Sequence, residues 1–174
     1  GEDEEGELLV KDLESVGVDT GQIRVKKGAR TGSVLCLSDR RGRRALYVLP
    51  GANSLLTIRE VELDYLSQAR ILHLSSFVAE EQWQIQKELV EKMPPSVKVS
   101  FAPGSIYAAK GMKALQPMIE RCHILFLNRQ EAAELTGEEF QRGANELLKR
   151  GCQIVAVTLG RGISKGGTTT TCYI

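Results

Sequence analysis

Aromatic residues are scarce in this chain: one Trp, four Tyr and four Phe among 174 residues. That scarcity removes most of the stacking surface on which single-stranded nucleic acid is held. Cysteine pairing motifs are missing as well. Cys36, Cys122, Cys152 and Cys172 lie far apart and form no Cys-x-x-Cys, which excludes the usual zinc-ligand spacing and makes a disulfide framework out of place. Cys36 and Cys152, in or beside apolar strand-like runs, read as buried structural thiols. Excess charge is absent, with 23 Lys+Arg against 22 Asp+Glu for a net +1, so no general attraction to nucleic acid or an acidic membrane arises. No apolar run approaches the ~20 residues that cross a bilayer. The chain opens on acids instead of a basic and then apolar leader, so a soluble, cytoplasmic protein is expected. Neither GxxxxGK[ST] nor GxGxxG occurs, which excludes a P-loop and a dinucleotide fingerprint.

What is present is an ordinary globular composition, 42% hydrophobic and 26% charged, enough for one sizeable core with a small appendage. The opening GEDEEGELLVKDLESVGVD places Leu8, Leu9, Leu13 and Val16 at helical spacing, with acids in the first turn and Gly17 as a stop. The acids themselves read as a solvated helix end. Between Gln22 and Leu49 three short β-prone runs (Ile23–Val25, Ser33–Leu37 and Ala45–Leu49) predict an antiparallel meander with a loop at Ser-Asp-Arg-Arg-Gly-Arg. Beyond Pro50 helices and strands alternate: helices over 58–68, 79–92, 129–135 and 138–150, helical material up to Glu120, and strands at Ile71–Leu74, Val97–Phe101, Ile124–Leu127 and Gln153–Leu159. Apolar strands alternating with helices predict a parallel sheet in an α/β fold. The tail GRGISKGGTTTTCYI reads as a Gly-rich turn and one further strand.

In such a sheet, ligands bind where strands end and loops begin. That rule selects His73, Ser75 and Ser76; Ala102-Pro103-Gly104; Asn128 with Glu131; and Thr158-Leu159-Gly160. Asn128 and Glu131, three apart at a helix start, share a face. They are read either as an amide and a carboxylate that hold a hydrated divalent cation and orient phosphate, or as an N-cap with its capping-box partner. The two are compatible, because a capped helix start points N–H groups at an anion. Arg24, Lys26, Lys27, Arg30, Arg40, Arg41, Arg43 and Arg44 crowd the meander against Asp39. With only Tyr47 to stack on a base they read as solvated charges, or as charges facing an anionic substrate, and no nucleic-acid partner is expected. His73 reads as a satisfied strand-end histidine and Trp83 as core.

Taken in order, GEDEEGELLVKDLESVGVD, Thr31-Gly32, LPGANSLL, SFAPGSIY, ILFLNRQEAAELTG and IVAVTLGRG resemble the ribokinase-like (PfkB) carbohydrate and nucleoside kinases over nearly the whole chain. The Asn-x-x-Glu-Ala-x-x-Leu-Thr-Gly string at 128–137 is the most specific piece. The resemblance implies a three-layer αβα sandwich with a mostly parallel sheet, truncated at both ends, over 1–20 and 54–174, and a small antiparallel β-lid over 21–53. It implies ATP as donor and Mg²⁺ as cation. Asn128 and Glu131 would organise Mg²⁺ and phosphate, Glu131 through water, while Thr158 and Gly160 would contact the nucleotide. Thr31, Gly32 and Asn53, with Ser75, would border a small sugar or nucleoside, and an exposed lid edge invites a homodimer. The chain departs from the family pattern in three ways. No Gly-Ala-Gly-Asp occurs, so the general base is expected beyond Ile174. The first strand and Gly-Gly substrate loop are expected before Gly1. Ala102 stands where relatives often carry an acid. The chain alone is therefore expected to show no kinase turnover, and the alternative is a non-catalytic remnant acting as a dimerisation or ligand-binding module.

Overall fold

The computed structural model describes residues 1–40, 43–164 and 167–174. Arg41 and Gly42 of the hairpin loop and Gly166 of the Gly-rich tail lie outside the described residues. The chain divides into two compact units, Gly1–Glu62 with Phe77–Ile85, and Leu63–Ser76 with Gln86–Ile174.

The first unit opens with helix α1 (Glu4–Ser15), capped by Asp3, whose carboxylate accepts from Gly6 N–H at 3.0 Å. Strands β1 (Ser33–Ser38) and β2 (Arg44–Leu49) pair antiparallel with Ser33 opposite Leu49. Asp39 and Arg43 close the hairpin: Asp39 N–H donates to the Arg43 carbonyl, and the Asp39 carboxylate accepts from Arg43 N–H and Nε. The meander expected from three β-prone runs is thus a two-stranded hairpin. Ile23–Val25 forms no strand, because its neighbours are drawn to the 60s: Arg24 Nε donates to the Glu60 carbonyl at 3.0 Å, and Lys26 pairs with the Glu60 carboxylate. The helix expected over 58–68 is broken too. Thr57 and Glu60 form a capping box that closes a single 3₁₀ turn, Ile58–Glu60, before Val61 turns extended. Within this unit Gln82 and Trp83 are buried, and the Gln82 amide donates to the carbonyls of Ser54 and Leu56 at 3.0 and 3.1 Å.

The second unit is built on helices α2 (Leu63–Ser67), the later turns of α3 (Glu80–Lys92), α4 (Gly104–Ala108), α5 (Met112–Arg121), α6 (Arg129–Thr136) and α7 (Phe140–Lys149). Its strands are β3 (Ile71–Ser75), β4 (Lys98–Ala102), β5 (Cys122–Asn128), β6 (Ile154–Ser164) and β7 (Gly167–Tyr173), ordered β3-β4-β5-β6-β7 in one sheet. The first four run parallel and β7 pairs antiparallel with β6. This is the α/β architecture expected from strands alternating with helices. In the Gly-rich stretch after Leu159, β6 continues as far as Ser164, with a register shift between Thr158 and Arg161 where Gly160 takes φ +84°.

Alternation along the strands sorts the sheet into two rows. Leu74, Val99, Phe101, Leu125, Leu127, Val155 and Val157 form the buried row, sealed by Leu115, Met118, Ile119, Ala132 and Leu147 of the helices. The other row is more open, with Ile71, Phe126 and Ile154 exposed. Asn128 and Thr158 belong to the open row, so the parity that hides Leu127 and Val157 is what presents them. Cys122 and Cys152 are buried as thiols, but Cys36 is exposed, because every residue of the hairpin strand that carries it is exposed.

Candidate functional site

Four parallel strands end on one edge of the sheet, and that edge carries the predicted residues of the second unit. Asn128, the last residue of β5, lies opposite Thr158 of β6 in the register. Strand neighbours in a sheet are ~4.8 Å apart, so the amide at 128 and the hydroxyl at 158 stand side by side at the mouth. Ser75 ends β3 opposite Ala102 of β4, two strands over on the same edge.

Asn128 is the N-cap of α6. Its Oδ1 accepts from Glu131 N–H at 2.9 Å, and Glu131 Oε2 accepts from Asn128 N–H at 2.9 Å. The capping box read from the spacing is therefore present, and it leaves Asn128 Nδ2 and Glu131 Oε1 unspent. The N–H groups of the first helical turn at Arg129 and Gln130 have no intrahelical carbonyl to meet, and they add to the positive end of the helix dipole. Asn128, Arg129 and Gln130 are exposed. One strand over, Thr158 Oγ1 donates to the Leu127 carbonyl at 3.2 Å and keeps its lone pairs as acceptors. Gly160 follows with φ +84°, and a side chain built there would meet nothing within 4 Å. The bulge leaves open space beside exposed backbone. Among the described residues no group of three or more His, Cys, Asp or Glu is placed to enclose a metal ion. A cation here would draw most of its ligands from water and from a bound anion.

Ser75, Ser76 and Gly104 complete the same edge. The Ser75 carbonyl accepts from Gln86 Nε2 at 2.8 Å, while Gly104 opens α4 at φ +56° with the Ser76 hydroxyl so near that a Cβ would lie 2.9 Å from it. His73 is satisfied, as expected, with Nδ1 3.0 Å from Ser100 Oγ.

In the first unit Thr31, Gly32 and Asn53 come together. Ala52 N–H donates to the Arg30 carbonyl at 2.8 Å, and a Cβ on Gly32 would lie 2.6 Å from Asn53 Nδ2. Thr31 and Asn53 border a cavity of about 360 Å³ lined also by Leu9, Leu13 and Phe77. Asn53 is exposed, with its amide directed past Gly32. Thr31 is less free than its place beside Gly32 suggests: its N–H donates to Asp3 Oδ2 at 2.6 Å, and its hydroxyl bonds the other Asp3 oxygen. Asp3 is the residue that sequence reading missed. It is no solvated acid, for it takes the Thr31 hydroxyl, the Thr31 N–H and the Gly6 N–H, and these bonds, led by the hydroxyl, hold its carboxyl down at about 2. The local signal was an N-cap position. The partner 28 residues on had no signature. A larger cavity of about 670 Å³ runs along α7 past Arg142 and Lys149, away from the strand ends, and the Glu146–Arg150 ion pair lies in its wall.

Comparison with known proteins places this geometry in a family. The chain is 33% identical over 163 residues to an uncharacterized sugar kinase of Archaeoglobus fulgidus, covering 92% of this chain and 64% of that protein. It is 28% identical over 174 residues to an ATP-dependent ribose-1-phosphate kinase of Halopiger xanaduensis, covering all of this chain and 56% of that one. The chain spans less than two thirds of the length of these relatives. The fold matches a crystal structure of ribokinase from Thermotoga maritima with a TM-score of 0.73 at 24% identity, over 98% of this chain and 57% of that one. The description "pfkB family carbohydrate kinase" matches residues 1–162, and the chain belongs to that family.

Proposed function

We propose that this chain supplies the nucleotide- and acceptor-binding surfaces of a cytoplasmic, ATP-dependent kinase that transfers a phosphoryl group to a hydroxyl of a sugar or nucleoside. The observation that carries the reading is the pairing of Asn128 with Thr158 at adjacent parallel strand ends, with Asn128 opening a helix and Gly160 opening the backbone beside it. The names of the two curated relatives favour a sugar as acceptor.

Phosphoryl transfer depends chiefly on positioning and on charge stabilisation, and the residues at the mouth suit both. The α6 N-terminus and Asn128 Nδ2 donate to phosphate oxygens. Glu131 Oε1 orients a water of a Mg²⁺ ion. When bound, that ion neutralises charge on the phosphate oxygens. Thr158 accepts from the nucleotide, and Gly160 lets backbone approach it. Thr31, Gly32 and Asn53 of the first unit border the acceptor. In this division 1–20 and 54–174 act as core and 21–53 as lid. No residue of this chain is assigned the general base, because no Gly-Ala-Gly-Asp string occurs in it. The hairpin favours one further role: its apolar, exposed strands suit pairing with a second copy, so a homodimer through the lid is part of the proposal.

Calorimetric titration of the chain with Mg·ATP tests the reading. Asn128→Asp keeps the cap but replaces the amide donor with a negative charge, and should weaken Mg·ATP by about ten-fold or more, the scale of one lost charge-assisted hydrogen bond. Asn128→Ala should also cost about 1 kcal/mol of stability through the lost cap. A wild-type chain that takes up no Mg·ATP, with or without a sugar, would overturn the proposal.

A further inference from the structure

Arg129 is the first residue of α6, directly after Asn128, and the capping box does not use its side chain. Its guanidinium carbon lies 4.8 Å from the centroid of the Phe140 ring at the start of α7. Phe140 in turn meets Tyr173 of β7 edge to face, centroids 5.8 Å apart at 82°. Tyr173 is the register partner of Val157, so this aromatic pair is fixed to the strand that carries Thr158. Arg129 is exposed and makes no ion pair among the described residues.

This is an unusual place for a free cation. The N-terminus of a helix carries partial positive charge, which favours carboxylates and opposes a guanidinium. A ring face can hold the guanidinium by its plane, yet that contact uses none of its N–H donors. The result is a planar fork resting on a ring and open to solvent, beside a helix start where the N–H groups of Arg129 and Gln130 have no intrahelical carbonyl to meet. An arriving anion would relieve the repulsion between cation and helix end, and a phosphate matches the two-pronged geometry of the fork.

We infer that Arg129 is a further phosphate-gripping residue of the strand-end site, held ready by the Phe140–Tyr173 pair and bonding oxygens of the nucleotide's polyphosphate arm. The inference rests on the nucleotide reading of that site. Its function is to add a fixed positive charge where a cap and a helix end alone would give only partial ones, and so to raise affinity for the charged arm over the nucleoside.

Titration of the chain with Mg·ATP and with adenosine, across a series of salt concentrations, tests this. Arg129→Gln should weaken Mg·ATP by about ten-fold, one lost charge-assisted contact, leave adenosine binding unchanged and flatten the salt dependence of Mg·ATP binding. Arg129→Lys keeps the charge without the fork and should fall between the two. Phe140→Leu frees the guanidinium from its platform and should cost a few-fold. A merely structural Arg129 would lower the thermal midpoint of Arg129→Gln and leave the salt dependence of binding as it was, which would overturn the inference. Wild-type binding of Mg·ATP matched by Arg129→Gln would overturn it alone. Wild-type failure to bind either ligand would overturn the nucleotide reading, and the inference with it.

Discussion

In the sheet unit Val97, Val99, Phe101, Leu125 and Val157 are 0% exposed, whereas every residue of β1 and β2 in the hairpin unit is exposed. The sheet holds itself by burial. The hairpin unit is held by directed polar bonds: Asp3 to Thr31, Glu60 to Lys26 and Thr57, Asp39 to Arg43. The difference suits the division of labour proposed above. Phosphate needs a rigid frame that fixes an amide, a hydroxyl and a helix end at once, and strand ends over a packed core provide it. An element with little buried area is, by contrast, cheap to move.

The largest test of this contrast is a pair of truncations. Phe101→Ala should cost about 3–5 kcal/mol in urea unfolding, through lost transfer energy and the cavity left among Leu74, Tyr107 and Leu125. Leu35→Ala, at 58% exposure, should cost only about 0.5 kcal/mol. The comparison breaks if the two are alike. A large Leu35→Ala effect that grows with protein concentration would sharpen it instead, because the hairpin strands would then be buried against a second copy.

Glycines give the next largest effect. Gly51 has φ +53°, and a Cβ there would lie 2.4 Å from the Arg30 carbonyl oxygen and 2.9 Å from Gly32 N; Gly160 has φ +84° with nothing within 4 Å. Gly160→Ala should therefore cost about 1 kcal/mol for the backbone conformation alone. Gly51→Ala must also displace backbone, and should cost about 2–3 kcal/mol and speed amide exchange across residues 30–32 and 51–53. Equal costs would mean that the Thr31–Gly32 and Gly51–Asn53 segments are not tightly joined in solution.

The same contrast decides what could be read in advance. Strands β3 to β6 were legible because each is an apolar run flanked by helical spacing, and burial enforces that pattern. Asn128 with Glu131 was legible because a capping box is local, and the place of Thr158 followed from parallel strands ending on one edge. The hairpin unit was read less well because its determinants are distant in sequence. Ile23–Val25 has the residues of a strand, but Arg24 and Lys26 are claimed by Glu60, and nothing near residue 23 shows that. Asp3 looks like any acid in a first helical turn until Thr31 arrives. Gly160 carried a turn signal, yet β7 pairs with β6 on both sides of it, and the ladder turns the glycine into a bulge.

The smallest effect expected is on acid stability. Thr31, through its hydroxyl and then its N–H, holds the Asp3 carboxyl at about 2 from an ordinary 3.8. Lys26 and then Thr57 hold Glu60 at about 2 from 4.5. A carboxylate whose pKa is lower in the folded chain adds stability that is complete above its unfolded value and is lost as pH falls toward the folded one. The window is therefore roughly pH 4.5 to 2, and stability should fall on acidification. Both carboxylates belong to the hairpin unit, so that unit should loosen first: exchange of the Thr31 amide should quicken across this window before the amides of β4 and β5 respond. Asp3→Asn should remove most of that dependence at Thr31, and Glu60→Gln should do so around Lys26 and Thr57. If the Thr31 amide instead quickens in step with the β-sheet, or if Asp3→Asn keeps the wild-type acid profile, then the polar clamps do not hold the hairpin unit and its order comes from some other source of burial.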